Sequence, residues 1–526
     1  MRELSRPIDR LEEKVLVPES EQSFKIPDNW IWVRIGTILP PMRTRNPEKL
    51  GSNFFTYIDI ESINNVNQEV ESPKKLPVSE APSRAQRAVH NGDVIISLVR
   101  PYLKNIALID SEYEHAVAST AFYVCGSSQA YDCRFLYHFL RSDYSTQYLV
   151  ANTKGDNSPS VRSADFLEMA IPLPPLPEQK RIVDRIESLL GKVNEAKKSI
   201  EGTLDFLYQF RQAVLLLASS GQLTAEWRKN HPHLETATDL LKRISERREE
   251  VYKQRCQLAK KNGERSPRKP MEYMKVENDE INIPHSWALA LPEHICSPDD
   301  YAIGIGPFGS NLKVSDYASE GVPLVFVRNI RSGDFAGLDP KYVSHKKAEE
   351  LLPHMVRSLD LLITKMGEPP GDCEIYPENM HDAVITSDVI KLRIWENDLV
   401  TEYFKHCINS SLIKKQLGLI TKGVTLQKLS LERFRSIMIP VPPLEEQKEI
   451  VRCIKLLLDH ADQIEGLYLG TKSRIDTITQ SILSKAFRGE LGTNDPSEES
   501  ALELLQQVLA ERMDEAPKKK KAANTK

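Results

Sequence analysis

Beyond Leu173 the chain takes on a helical rhythm. Ile182, Ile186, Leu189, Val193, Ala196, Ile200, Thr203, Leu207, Phe210, Val214 and Leu217 follow one another at alternating steps of four and three. The same ladder recurs 268 residues later as Ile450, Ile454, Leu457, Ala461, Ile464, Tyr468, Thr471, Ile475, Ile478, Ile482 and Lys485. Such an alternation keeps one stripe of a helix inward and is the seam of a coiled coil. Each ladder begins after a proline-rich segment, IPLPPLPEQK from Ile171 or IPVPPLEEQK from Ile439, where proline suits the first turn of a helix. Each stops before a glycine, Gly221 or Gly489. Sustained over about five heptads, each helix should extend roughly 55 to 60 Å. Matching seams in one chain predict that the two helices pack on each other, with fraying where Lys485 replaces the counterpart of Leu217.

The segments before the ladders have a different texture. Residues 26–172 and 281–440 carry short apolar runs such as VIISLV, IALI, PLVFVRN and LLITK, broken by Pro, Gly and Asn clusters, with a helical pattern near each end. This predicts two α+β heads. They are related but divergent: Asp93 in GDVIIS matches Asp360 in LDLLIT, and IPDNW from Ile26 matches IPHSW from Ile283, while little between agrees. The predicted organisation is an N-terminal extension (1–25), a first head (26–172), a first stem helix (173–220), a charged helical linker (221–280), a second head (281–440), a second stem helix (441–490) and a helical to disordered basic tail (491–526). It is an internal duplication.

At 526 residues the chain fits several domains. A net charge of −4 means that any polyanion site must be a local patch. The seven cysteines form no CxxC or other metal-ligand spacing and read as reduced thiols. No apolar leader follows MRELSRPIDR and no run is long enough for a bilayer, so a cytoplasmic protein without membrane contact is expected. The lysine-rich end, APKKKKAANTK, reads as a solvated terminus.

Reaction machinery is missing from the pattern. There is no GxxxxGK[ST], HExxH or GxSxG, and no [DNS]PP[YF] loop for a flipped adenine, so no catalytic residue and no metal site is predicted. Gly304, Gly306 and Gly309 spell GxGxxG, but Pro307 interrupts it and no apolar strand precedes it. His231 and His233 flank a proline without ligand partners.

What the heads offer is loop-borne cations beside strand ends. The first supplies Arg84, Arg87, Arg100, Tyr102 and Lys104. The second supplies Ser310, Lys313, Arg328, Asn329 and Lys365. The repeated TKG adds Lys154 and Lys422, with Gln427 just beyond. Arg and Lys bond guanine edges and phosphates, and Asn and Gln bond adenine edges, so these loops form a candidate DNA-reading set.

The two stems, IPLPPLPEQKRIVDRIESLL with RQAVLLLASSGQL and IPVPPLEEQKEIVRCIKLLL with TQSILSKAFRGEL, resemble the conserved regions of type I restriction-modification specificity subunits. APSRAQRAVHNGDVIISLVRPYLKN, and GPFGSNLK with DLLITKMGEPPGDCEIYP, are similar to their target recognition domains. The resemblance implies two recognition domains held by antiparallel helices with pseudo-twofold symmetry. Each would read half of a split site in double-stranded DNA. It further implies a non-catalytic subunit that docks two adenine N6-methyltransferase subunits, which use S-adenosylmethionine, and restriction subunits, which use ATP and Mg2+. The alternatives are a self-contained enzyme such as a single-chain methyltransferase-nuclease, against which the missing cofactor and catalytic loops speak, and a coiled-coil scaffold without a DNA role.

Overall fold

Each head opens and closes on a pair of neighbouring strands. In a computed structural model, which describes residues 15–155, 157–337, 339–367, 370–420 and 428–510, Ile31–Arg34 pairs antiparallel with Ala170–Leu173. In the second head Ala288–Ala290 pairs the same way with Ile439–Val441. The start and finish of each head therefore lie side by side. The chain divides into two compact units: the described residues through Glu201 with those from Leu469 onward, and Gly202–Tyr468.

In the first unit, Phe122–Cys125, Val94–Ser97 and Ile106–Leu108 form a three-stranded sheet. Lys74–Pro77, Phe54–Ile58, Val117–Ser119 and Ala85–Ala88 form a second sheet, whose middle pair is parallel. All four residues of Val94–Ser97 are buried, which explains its unbroken apolar run. The helix Cys133–Arg141 closes the core with Phe135, Leu136 and Phe139. Residues 15–25 are partly built into the head: Val17 donates to Trp32 O, and Phe24 meets the Trp32 ring edge-on.

The second unit repeats the plan with different trimmings. Ile303–Ile305, Val389–Leu392, Leu361–Thr364 and Cys373–Ile375 form one sheet, with Leu361–Thr364 again wholly buried. A five-stranded sheet holds the parallel pair of Val322–Val325 with Ala383–Ile385. The matched aspartates tie both plans together. Asp93 accepts from His90 N and Ser127 N, and Asp360 from Arg357 N and two guanidinium nitrogens of Arg393.

The first stem is not the single helix that its seam predicts. It runs Leu176–Ile200, breaks at Glu201 (ψ 141°) and Gly202 (φ 77°), and resumes as Thr203–Ser219. The second stem is one 44-residue helix, Leu444–Phe487, about 66 Å long at 1.5 Å per residue. Its Gly470, the counterpart of Gly202, remains helical.

The stem pairing inside the second unit is antiparallel. Arg211 donates to Asp462 (2.6 Å) and Glu465 (2.7 Å), while Arg228, further along, reaches back to Glu446. Burial matches the seam at Ile182, Ile186, Leu207, Ile450, Ile454, Ala461 and Ile475, and partly at Leu189, Val193, Ile200 and Leu457. Four positions along the middle of the seams differ: Ala196 and Thr471 are exposed, and Ile464 and Ile478 are 46% and 48% exposed. Toward both carboxyl ends the inward face steps by one residue. It follows Leu207, Arg211, Val214 and Ala218 in one copy, and Ile475, Thr479, Ile482 and Ala486 in the other. Leu217 and Lys485 therefore face outward, and Lys485 does not interrupt the packing.

Those carboxyl ends complete the heads. Phe487 packs edge-to-face on Phe135 and Phe139 of the first head, with ring centroids 5.3 Å apart in each pair. Val214, Leu215 and Ala218 join the second head's core with Tyr403, Phe404 and Cys407. Each head is thus covered by the end of the other copy's stem. Gly489 (φ 73°) lies under Pro27 and Gly221 (φ 75°) under Pro284, so close that a Cβ would come within 2.4 and 2.5 Å of a ring carbon.

A fully buried pair, glutamate then glutamine, fixes the start of each stem. Glu178 accepts from Trp30 Nε1 (2.7 Å) and Asn494 (2.9 Å) through one oxygen. Glu446 accepts from Trp287 Nε1 (2.9 Å), Thr224 (2.6 Å) and Arg228 (2.8 Å). Beside them, Gln179 accepts from Asp132 N and donates to the Ala130 and Pro174 carbonyls. Gln447 accepts from Val400 N and donates to the Pro442 carbonyl.

The charged linker contains a docked helix, Ala237–Asn262. Its Leu240, Leu241 and Ile244 are wholly buried in the second unit, and Ala237 N donates to Ser286 O. The tail repeats this arrangement: residues 501–510 are helical, Ala501 N donates to Asn29 O, and Leu505 is buried. Asn29 and Ser286 occupy the same place in IPDNW and IPHSW, so linker and tail belong to the repeat. The lysine-rich end lies outside the described residues.

Two predictions follow from this packing. Gly221→Ala combines a left-handed backbone with a clash against Pro284, and should cost about 1 to 3 kcal/mol in equilibrium denaturation. Gly466→Ala, at an open helical site, should instead stabilise by roughly 0.5 to 1 kcal/mol. The second concerns Glu178. Burial pushes its carboxyl above the ordinary range, against the Trp30 and Asn494 hydrogen bonds. The folded state therefore holds this proton more tightly than the unfolded state, so its ionisation lowers stability as pH rises through the ordinary range toward the folded pKa. Glu178→Gln keeps one accepting oxygen and removes that ionisation. Denaturation across pH should show the variant gaining on the parent as pH rises through this window, with a constant difference above it.

Candidate nucleic-acid interface

The buried strands Val94–Ser97 and Leu361–Thr364 deliver the candidate cations. After the first, Arg100 (φ 48°) and Lys104 (φ 51°) bracket a single turn, Pro101–Leu103, both in the left-handed region that non-glycine residues rarely occupy. This turn is stitched to the TKG loop: Arg100 N donates to Pro159 O (2.8 Å), and Lys154 and Ser160 exchange backbone hydrogen bonds. The Arg100 guanidinium makes a long hydrogen bond to Asn157 O (3.4 Å). Arg100, Tyr102 and Lys154 are exposed there together.

The other first-head residues divide. Arg84 is exposed and joins the same edge through its backbone: its carbonyl accepts from Thr120 N, and the next residue, Ala121, accepts from Leu98 N. Arg87 is half-buried, its Nε lacking a partner, and bridges Thr44 across the sheet. Lys104 is engaged by Asp143 (3.0 Å).

In the second head three segments converge on one end of a sheet. Gly306 N donates to Val389 O, Lys365 N to Asp388 O and Leu429 N to Lys365 O. The Lys365 ammonium, half-buried, donates to Ser387 O (3.3 Å). Gly306 sits where a Cβ would lie 1.8 Å from Thr386 O. That close approach, with Ile303–Ile305 antiparallel to Val389–Leu392, gives the central Gly306 a packing reason that involves no dinucleotide. Ser310 and Lys313 follow on the same loop, both exposed. Arg328 is exposed, stacks on Phe326 (4.4 Å) and donates to Asp339 O (2.9 Å).

Asn329 corrects the expectation. It is buried, accepts from Phe326 N and donates to Asp334 O, so both ends of its amide are used to shape its own turn. It does not present an edge to a ligand. Lys422 and Gln427 lie outside the described residues.

Several contributors went unrecognised. Arg45 holds the first head's rim by donating to the carbonyls of Val89, Glu114 and Ala116. Arg331 and Lys414 both pair with Asp372, at 3.0 and 2.8 Å. Burial pushes the Asp372 carboxyl up, but these two cations more than reverse it and leave it below the ordinary range. Phe308, 68% exposed between Gly306 and Gly309, offers a bare ring beside Ser310. Its glycine neighbours were the available signal. Among the described residues, no cluster of His, Cys, Asp and Glu could hold a metal ion, and no helix is long and apolar enough to cross a membrane. His231 instead stacks on Trp227, 4.2 Å between ring centroids.

Two differing loop sets on a repeated frame match one family. The model of the type I restriction modification DNA specificity domain matches residues 27–202 and 364–467. The chain belongs to this family. It is a specificity subunit of a type I restriction-modification system, a DNA-recognition subunit without catalysis of its own. It is 28% identical over 399 residues to the Escherichia coli type I restriction enzyme EcoBI specificity subunit, covering 74% of each chain. It is 27% identical over 398 residues to the EcoKI specificity subunit of Escherichia coli K12, covering 73% of each. Its fold matches a solved chain of a type I restriction-modification system with a TM-score of 0.64 and 25% identity, over 89% of this chain and all of that one. It also matches the HsdS subunit from Thermoanaerobacter tengcongensis with a TM-score of 0.52 and 24% identity, over 90% of this chain and all of that one.

Proposed function

We propose that each head reads one half of a split site in double-stranded DNA, and that the stems set the separation between the halves. The observation that carries this is the pair of cation-bearing loops, at Arg100 with Lys154 and at Lys365. They are mounted on equivalent strands, stitched to equivalent neighbours and different in sequence. Equivalent mounting with different chemistry is what two readers of different half-sites require. A stiff stem joining them turns two weak engagements into one strong one without contact to the bases between. Arg84, Tyr102, Ser310, Lys313 and Arg328 form the remainder of the reading surface, and Lys422 and Gln427 are assigned to it on sequence grounds.

The stems also dock two adenine N6-methyltransferase subunits. Phe206, Tyr208 and Leu467 in the second unit are 63%, 66% and 72% exposed, apolar side chains of the kind that a partner covers. S-adenosylmethionine would be bound by those partners, and ATP with Mg2+ by the restriction subunits. The complex would act in the cytoplasm, where the host DNA is.

Long-read mapping of N6-methyladenine in a methylation-free host carrying this gene with its methyltransferase partner tests the reading. The expected result is a split motif that vanishes when this gene is deleted; methylation that persists, or a continuous motif, overturns it. In the same assay Arg100→Ala and Lys365→Ala should each relax a different half-motif, with discrimination falling by about 1 to 3 kcal/mol per lost base contact. Equal loss at both halves would refute the assignment of these loops.

A further inference from the structure

We infer that a cleft in the second unit, apart from the Lys365 loop, binds a nucleoside phosphate. The cleft encloses about 940 Å³ between the segment after the docked linker helix, Arg265 to Met271, and the turn from Glu293 to Ile303. That is a volume suited to a small organic ligand.

Its charges do not cancel. Glu293 is met by Arg435 (3.4 Å) and Arg268 (3.9 Å), and Asp300 by Arg255 (3.1 Å). Asp299 lies within 3.9 Å of Arg255 and 3.5 Å of Arg393. With every acid of the lining so matched, Arg265 and Lys269 remain exposed, with no side-chain hydrogen bond or ion pair among the described residues. Deeper in the lining, Arg248 is only 2% exposed; two of its nitrogens bond His294 O and Cys296 Sγ, while its Nε has no partner. Unmatched guanidinium and ammonium groups around a cleft select an anion, and phosphate above others for its many acceptor oxygens.

The same cleft supplies a ring. Tyr301 is 58% exposed and holds a left-handed backbone (φ 61°). Cations beside an unstacked aromatic are the parts with which proteins hold a base and its phosphate together. The ligand is a free nucleotide or a nucleotide within a DNA strand, and its binding is independent of half-site reading.

Fluorescence anisotropy of N-methylanthraniloyl-ATP with the purified full chain tests this. Saturable binding displaced by unlabelled ATP is expected. The double variant Arg265→Ala, Lys269→Ala should weaken it about tenfold or more, as loss of charge-assisted phosphate bonds implies. Tyr301→Gly, which accepts the backbone without strain, should weaken ATP while leaving competition by tripolyphosphate unchanged. Stronger displacement by a short single-stranded oligonucleotide than by ATP would identify the strand as the source. Absence of saturable binding of both probe and oligonucleotide, or binding indifferent to these exposed-site variants, overturns the inference, whatever methylation mapping shows.

Discussion

A carboxylate buried next to a buried amide, at the first turn of each stem, is the constraint on which the remaining architecture rests. An ionised group removed from water must recover its lost hydration through fixed donors. The two copies solve this differently. Glu446 is served by an indole, a hydroxyl and a guanidinium, whereas Glu178 has only an indole and an amide, with one oxygen unmatched. In both, the indole belongs to the head's opening segment and the other donors follow the end of the opposite stem. One carboxylate therefore registers three pieces of chain. The neighbouring glutamine adds a fourth, gripping the carbonyl or amide that leads into the head's core helices.

Because the donors come from beyond Gly221 and Gly489, neither head is complete with its own stem alone. The tight approach of each glycine to Pro284 or Pro27, and the docking of Ala237 or Ala501 on the same short segment, repeat one joint twice. The joint tolerates wide divergence in the sheets above it: four and five strands in the second head against three and four in the first. At the strand ends of both heads, backbone pairing holds a loop in place without dictating its side chains.

Much of this was legible in the sequence because duplication filters out noise. The heptads, proline entrances, glycine stops and strand runs all occur twice, and the family resemblance rests on them. What escaped was set by tertiary context. The shift of the inward face to Ala218 and Ala486 is invisible to a hydrophobic ladder, which prefers Leu217 and is misled by Lys485. Gly202 and Gly470 are the same residue in the same register, yet only the first breaks its helix; glycine permits a left-handed turn without compelling it. Polarity marked residues 221–280 as a connector, although three of its aliphatic residues are fully buried. Asn329 resembled a base reader because the sequence does not show that its amide is already used.

The side-by-side strands that open and close each head carry an evolutionary implication. A head enters and leaves its frame at adjacent points, Ile31 facing Leu173 and Ala288 facing Val441. Everything between can be exchanged as a block by recombination in the flanking codons, provided that the incoming segment keeps the tryptophan before it and the Glu-Gln pair after it. Inheritance of the joint is thereby uncoupled from inheritance of the contents, and, on the proposed reading that each head carries its own half-site, a single genetic event would change the target while leaving the scaffold unaltered.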